Sequence, residues 1–372
     1  MDKTIDRRDE PDYGDPEIDC VLIGVNCART LDRCIESVTA SDYPREKLRI
    51  IYVDGGSTDG SIEAAMRHEG VEVVSIKPEY PTPGIGRNAG WKAGSAPLVQ
   101  FLDSDTILDR GWFRIAVAAI GSAGVGAVLG TRKEMHPERS VYNWIGDLEW
   151  NGPVGESGCF GGDVLIRREA LEASGGYDEG LVGGEDPELS RRIIRAGWKL
   201  LRLDARMTSH DLAMTKLGQY LRRAYRSGYG FAAVRSREAR SGSDFWQYDY
   251  RKITIKGGGF SGSFLIFLPL LFSGRPIVTV AAILLMLAGT ALLMMPRLFK
   301  VEKFMLEHRI DRKEARKYAW HCSLVVLPHL AGVLRFHVGT IFGKPLRNRR
   351  NMLATDTSDV HCQTEKTCFS RP

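Results

Sequence analysis

No CxxC pair occurs among the seven cysteines (Cys20, Cys27, Cys34, Cys159, Cys322, Cys362 and Cys368), and their number is odd. This argues against both a zinc ribbon and a disulfide framework, so the thiols are read as reduced groups on a cytosolic face. The first eighteen residues hold no apolar run. The reading therefore expects no cleaved signal peptide and takes 1–17 as a flexible arm. Acid is scarce late in the chain: residues 211–372 carry 26 Lys and Arg against 11 Asp and Glu, whereas 1–210 carry 25 against 35. An acidic first half does not suit a nucleic-acid groove, and no nucleic acid polymer is expected as a partner. A basic second half interrupted by apolar runs suits an anionic lipid surface.

What is present from residue 18 to 203 is an alternation of short β-rich runs with helical patterns, which predicts an α/β domain with a mainly parallel sheet covered by helices. Residues 20–25 form a continuous apolar run of the kind a buried strand needs. Further strands are expected at 50–53, 71–76, 98–102, 125–129 and 164–166. Leu31, Ile35 and Val38 make one helical stripe that stops before Pro44. Pro187 suits the first turn of a helix carrying Leu189 and Ile193, with Gly197 as its left-handed terminator.

Past His210 the pattern changes. Residues 212–240 read as one or two amphipathic helices in which Tyr220, Leu221, Tyr225 and Phe231 mingle with Arg222, Arg223, Arg226 and Arg235. Such a helix suits a lipid interface, and equally a helix packed on the α/β unit with a solvated basic face. Residues 277–295 carry no charge. At about 1.5 Å per residue they span roughly 28 Å, close to a hydrocarbon thickness. The shorter run 264–272 could join them in a hairpin. Cations crowd 297–317, which the positive-inside bias puts in the cytosol. The run 324–342 holds Pro328, His329, Arg335 and His337 and reads as an interfacial or re-entrant helix. The plain alternative, a buried soluble helix at 277–295, would need burial on all sides.

Three acidic constellations carry the chemistry. Asp54, in Val53-Asp54-Gly55-Gly56-Ser57-Thr58-Asp59-Gly60, ends a strand in the crevice where open sheets bind nucleotides, placed to accept hydrogen bonds from a base or ribose. The same run could be a tight turn with Ser57 or Asp59 as helix cap. Asp103 and Asp105 stand two residues apart at another strand end, so both can point at one hard cation, Mg²⁺ or Mn²⁺, that also binds a diphosphate. Glu185 and Asp186 follow a glycine pair at a helix start. There they could serve the helix dipole, or one could be a general base facing the metal across the crevice.

Residues 20–26, Tyr43-Pro44, the 53–61 run, Gly86-Arg87-Asn88, the 101–106 run, Gly175-Gly176-Tyr177-Asp178-Glu179 and the 184–192 run followed by Gly197-Trp198 resemble, in order and spacing, the family 2 glycosyltransferases of GT-A fold. The resemblance covers about 18–210. It implies inverting transfer from a nucleotide sugar, with Asp54 as a nucleoside contact, Asp103 as a nucleotide contact and Asp105 as the metal ligand. It also implies Asp186 as catalytic base with Glu185 its neighbour, and places Asn26 among the donor binders. Glycine at 55 departs from the commoner two-aspartate form. His210 lies where such enzymes sometimes place a further metal or diphosphate contact. Arg87 could touch the diphosphate or hold the Pro-rich loop. Gly162 and Asp163 resemble the acceptor-side segment, and could equally be a strand-entry turn.

The resulting expectation is a plasma-membrane hexosyltransferase whose catalytic domain faces the cytoplasm. It would use a UDP-type donor and a lipid-linked or glycan acceptor in surface polysaccharide assembly, with Arg222, Arg223 and Arg226 neutralising a lipid diphosphate. The expected divisions are 18–210 for the GT-A domain, 211–256 for basic helices, 257–295 for a transmembrane hairpin, 296–346 for a basic segment with an interfacial helix, and 347–372 for a polar tail. A nucleotidyltransferase would want a basic Gly-rich loop near the first strand, where residues 26–30 offer only Arg29. A non-catalytic scaffold is disfavoured by the intact aspartates, and a processive synthase by the absence of a Q-x-x-R-W run.

Overall fold

The computed structural model describes residues 14–348. Most of the expected arm, nearly all of the expected tail, and Cys362 and Cys368 lie outside the described residues. Nine strands form one sheet: β1 (Ile18–Gly24), β2 (Leu48–Asp54), β3 (Val71–Ser75), β4 (Leu98–Asp103), β5 (Thr106–Leu108), β6 (Val125–Glu134), β7 (Gly155–Glu156), β8 (Val164–Arg167) and β9 (Lys199–His210). Their order is β3-β2-β1-β4-β8-β6-β9-β5, with β7 beside β9. Helices α1 (Leu31–Thr39), α2 (Ser61–Met66), α3 (Pro83–Ala93), α4 (Trp112–Ile120), α5 (Val141–Glu149), α6 (Arg168–Ser174) and α7 (Glu185–Arg195) accompany it.

β1, β2 and β4 are buried almost throughout because β1 is flanked on both edges by parallel strands, which hide apolar runs on both faces. Register then fixes the site: Ile23 pairs with Val53 on one side and Asp103 on the other, and Gly24 with Asp54. All three strands therefore end at one level, beside the turning point of strand order between β1 and β4.

The mainly parallel sheet holds for β3-β2-β1-β4 and for β6 with β9, but β8 runs antiparallel to β4 and β6, and β5 and β7 run antiparallel to β9. The reason is topological. β8 is entered from the cleft edge, after the loop through Gly161 and Gly162, without a helix crossing back to the opposite end, so it must run the other way. Among the described residues, Cys20, Cys27, Cys34 and Cys322 are free thiols.

Beyond β9 come α8 (Leu217–Arg240), α9 (Gln247–Leu271), α10 (Pro276–Phe299), α11 (Val301–His308), α12 (Arg312–Leu324) and α13 (Val326–Ile341). The region expected as one or two helices is thus a single 24-residue helix. Gly228 and Gly230 inside it cost about 1 kcal/mol each in helix propensity, and close packing explains them. A Cβ on Gly228 would lie 2.1 Å from the His329 carbonyl oxygen of α13, and one on Gly230 would lie 2.9 Å from the Gly183 carbonyl oxygen. So α8 is clamped between α13 and the loop that leads into α7.

A buried polar cluster makes a second tie. Glu149, at the end of α5, accepts from Tyr318 Oη and pairs with His321 Nε2, both at 3.0 Å, and His321 Nδ1 meets Tyr220 Oη of α8 at 2.7 Å. α9, α10 and the stretch Arg312–Ile341 are long and apolar enough to cross a membrane, and Phe272, Ile277 and Leu287 lie on the surface. α9 and α10 pack against each other, with α9 starting at Gln247. Ser263 packs into the space beside Gly289. The helix expected at 324–342 is α13, lying along α8.

Gly332→Val places a side chain where a Cβ would already stand 2.0 Å from the Tyr225 carbonyl oxygen, and helix backbone cannot yield there. Overpacking of this kind costs about 1–3 kcal/mol. The thermal midpoint in detergent is expected to fall, while Gly258→Val, which has open space around it, leaves it in place. Equal midpoints would mean that α13 does not dock on α8.

Candidate active site

The loops after β1 and β2 are latched to each other. Asn26 takes a left-handed backbone (φ 54°), which asparagine tolerates better than most residues. Its Oδ1 accepts from Thr58 N and its own N donates to Ser57 Oγ, both at 2.8 Å. Cys27 N donates to Ser61 Oγ at 2.9 Å and Ala28 N to Asp59 Oδ2 at 3.1 Å. Asp54 is fully buried: its Oδ2 accepts from Gly56 N at 2.9 Å and Ser57 N at 3.0 Å, and its Oδ1 from Tyr52 Oη at 3.2 Å. In this state it braces the loop from within and shows no free face to a ligand.

α3 begins with Pro83 at its first turn and Thr82 as cap, accepting from Ile85 N at 3.3 Å. One turn in, Asn88 fixes the 177–179 turn by accepting from Tyr177 N and donating to Tyr177 O, both at 2.9 Å. Beside it Arg87, wholly buried, spans three carboxylates: Asp103 Oδ1 at 3.0 Å, Glu185 Oε1 at 3.1 Å and Asp186 Oδ1 at 3.4 Å. The Tyr177 ring lies 5.3 Å from the guanidinium carbon. Burial alone would lower the Arg87 pKa, but Asp186, Tyr177, Asp103 and Glu185 outweigh it and raise it. The guanidinium is thus engaged by acids from both walls of the cleft.

His210 reaches the cleft through β9, where it pairs with Thr106 of β5 and Glu134 of β6. That register sets His210 Nε2 3.2 Å from Asp105 Oδ1. Burial pulls the His210 pKa down, but the facing Asp105 more than offsets this and raises it. Asp103, Asp105 and His210 each offer a ligand atom within 4.8 Å of the others. The set fits a divalent cation on two counts. Its two carboxylates and one imidazole suit ions such as Mn²⁺, and the buried His210 Nδ1 has no hydrogen-bond partner among the described residues.

Sequence reading missed Arg132 and Trp150. Arg132 Nη2 pairs with Asp163 Oδ2 at 2.7 Å and lies 3.8 Å from Asp103 Oδ2. Its guanidinium sits 5.7 Å from the Trp150 ring, which meets His210 edge-on at 5.1 Å. The available signal was an inward charge on a strand, since Val128, Gly130 and Arg132 share one face of β6 by period two. Asp163 is committed inward, accepting from Asp103 N at 3.2 Å and Thr208 Oγ1 at 2.6 Å. Gly162 passes so close that a Cβ would lie 2.7 Å from Asp103 Oδ2 and 2.8 Å from Arg87 Nη2. Arg222 is exposed, while Arg223 and Arg226 are buried, the latter 3.4 Å from Asn348 Oδ1. Among the described residues, Asp103, Asp105, Asp163, Glu185 and Asp186 gather around the guanidiniums of Arg87 and Arg132 and the imidazole of His210.

The family described as "Glycosyl transferase family 2" matches residues 20–173, and that described as "N-terminal domain of galactosyltransferase" matches residues 147–216. Glycosyltransferase AglE of Haloferax volcanii is 24% identical over 224 residues, 58% of this chain and 73% of that protein. An uncharacterized glycosyltransferase of Mycobacterium bovis is 30% identical over 165 residues, 42% of this chain and 72% of that one. Succinoglycan biosynthesis protein ExoA of Rhizobium meliloti is 28% identical over 198 residues, half of this chain but only 60% of that protein. Among solved structures, mannosyltransferase PcManGT from Pyrobaculum calidifontis, in complex with GDP-Man and Mn²⁺, superposes with a TM-score of 0.58 at 18% identity, covering 87% of this chain and 88% of that one. With acids from three strand and helix ends gathered at the mouth of a GT-A sheet, and with relatives matching across that same sheet, the chain belongs to the family 2 glycosyltransferases.

Proposed function

We propose that this enzyme transfers a hexose with inversion from a nucleotide sugar, UDP-linked in our reading, to a lipid-linked or glycan acceptor at the cytoplasmic face of the plasma membrane, in surface polysaccharide assembly. The observation that carries the chemistry is the convergence of Asp103, Glu185 and Asp186 on Arg87, next to the Asp105 and His210 pair. The latched loops after β1 and β2 form the natural bed for the nucleoside, with Asn26 and Asp54 setting its shape. The apolar helices and the cationic stretch 297–317 support the membrane and its orientation.

Asp186 stands in the first turn of α7, where it takes the proton from the acceptor hydroxyl. The freed oxygen forms a bond to the anomeric carbon as the bond from that carbon to the diphosphate breaks on the opposite face, so configuration inverts. Glu185 and Arg87 hold the Asp186 carboxylate in line, and Gly162 leaves room for backbone and sugar to approach. A divalent cation on Asp103, Asp105 and His210, Mg²⁺ or Mn²⁺, would supply neutralisation of charge on the departing nucleoside diphosphate.

Purified enzyme incubated with UDP- and GDP-sugars and membrane lipid extract is expected to release nucleoside diphosphate, and to stop doing so on chelation. Metal-independent release of a monophosphate would sink the reading. Asp186→Asn should keep nucleotide affinity and slow transfer by about 10²–10⁴-fold, and wild-type turnover in that variant would remove Asp186 as base. Arg87→Met takes a buried guanidinium away from three buried acids, at a cost of about 3–5 kcal/mol. It is expected to lower the thermal midpoint strongly at neutral pH, and an unchanged midpoint would show that the clamp is dispensable.

A further inference from the structure

We infer that Arg223 is the ligand of a phosphate-class anion on the acceptor side of the cleft, and we assign that anion to the head group of a lipid-linked acceptor. The assignment of source rests on the glycosyltransferase reading above, whereas the anion site itself rests on Arg223.

Arg223 is 4% exposed, it makes no hydrogen bond or ion pair with any described residue, and its Nη1 is buried without a partner. A guanidinium cannot shed its proton to escape this, so the desolvation of a full charge stands uncompensated within the described residues. The fold answers comparably buried charges elsewhere: Arg87 has Asp103 at 3.0 Å and Arg132 has Asp163 at 2.7 Å. Arg223 is left with a planar fork of donors and no acceptor, the arrangement that suits bidentate capture of a phosphate.

Its place on α8 says which phosphate. Three residues before it, Tyr220 packs in one cluster with Trp150, the ring that meets His210. Three residues after it, the Arg226 carbonyl oxygen lies 3.8 Å from where a Gly183 Cβ would stand, and one turn further Gly230 abuts Gly183 itself. Gly183 leads directly into Glu185 and Asp186. Residues three and seven apart share a helix face, so the stripe carrying Arg223 runs from the metal side of the cleft to its base side. The next residue, Ala224, packs with Val325 at the junction of α12 and α13, inside the apolar stretch Arg312–Ile341. An anion held there lies at the meeting of cleft and apolar helices, where a lipid-linked acceptor presents its head group. The donor diphosphate already has the Asp103, Asp105 and His210 group.

The test uses the full chain in detergent, as wild type, Arg223→Met, Arg223→Lys and Arg240→Met, the last an exposed control at the far end of α8. Farnesyl diphosphate serves as acceptor-type probe, and UDP or GDP with Mn²⁺ as donor-type probe. Arg223→Met is expected to weaken farnesyl diphosphate binding by about tenfold or more, the loss of a charge-assisted hydrogen-bonded pair, with nucleotide binding unmoved. Arg223→Lys falls between, and Arg240→Met matches wild type. In ligand-free protein, Arg223→Met is also expected to raise the thermal midpoint, because it removes an unanswered buried charge. A lowered midpoint would reveal an internal partner, and unchanged farnesyl diphosphate binding would remove the site; either overturns the proposal. A loss confined to the nucleotide arm overturns the acceptor assignment and gives the anion to the donor. A wild-type enzyme that binds no nucleotide would sink the glycosyltransferase mechanism instead, and the farnesyl diphosphate arm reads Arg223 independently of that.

Discussion

The cleft is organised around the guanidinium of Arg87, which holds together acids that would otherwise push one another apart. Asp103 ends a strand of the sheet, and Glu185 and Asp186 begin a helix on the far wall. Three buried carboxylates within reach of one centre repel strongly in a low-dielectric setting. With Arg87 between them, the repulsion becomes a fixed spacing, and the two walls of the cleft are set by one side chain. Arg132 does the same service for Asp163 on the neighbouring strand. Beside these pairs, Asp103, Asp105 and His210 bring ligand atoms close enough together to share a cation.

Much of this was legible in the chain because the acids sit at strand ends and at a helix start, and β and α periodicities locate such ends well. Asp103, Asp105 and Asp186 were recognisable for that reason, and the paired register of β1, β2 and β4 turns three separate positions into one site. Other parts were not. The partners of Asp54, and the commitment of Arg87 inward, depend on atoms far apart in sequence that no spacing rule links. Arg132 and Trp150 belong to no recognisable motif, and they matter only because folding brings them beside Asp163 and His210. The sheet's reversal at β8 follows from which edge the chain enters, and local hydrophobicity does not encode that. α9 runs as one helix from Gln247 to Leu271 through Asp249, Arg251 and Lys252, because backbone hydrogen bonding continues whatever the polarity of the side chains.

α8 joins the two halves of the molecule. Its glycines let it lie in backbone contact with α13 on one side and with the Gly183 loop on the other. The loop that carries the two acids of α7 therefore leans on a helix that itself leans on the apolar part of the chain. Tyr220, His321, Tyr318 and Glu149 make a second, polar tie between the same regions. Buried hydrogen-bonded ties of this kind resist sliding in a way that apolar contact alone does not.

Two independent fastenings leave little freedom for a hinge between the sheet and the C-terminal helices. The acids of α7 and the apolar helices are thereby coupled, so a displacement of α13 reaches Glu185 and Asp186 through α8 and the Gly183 loop, as a lever passes a push along its length.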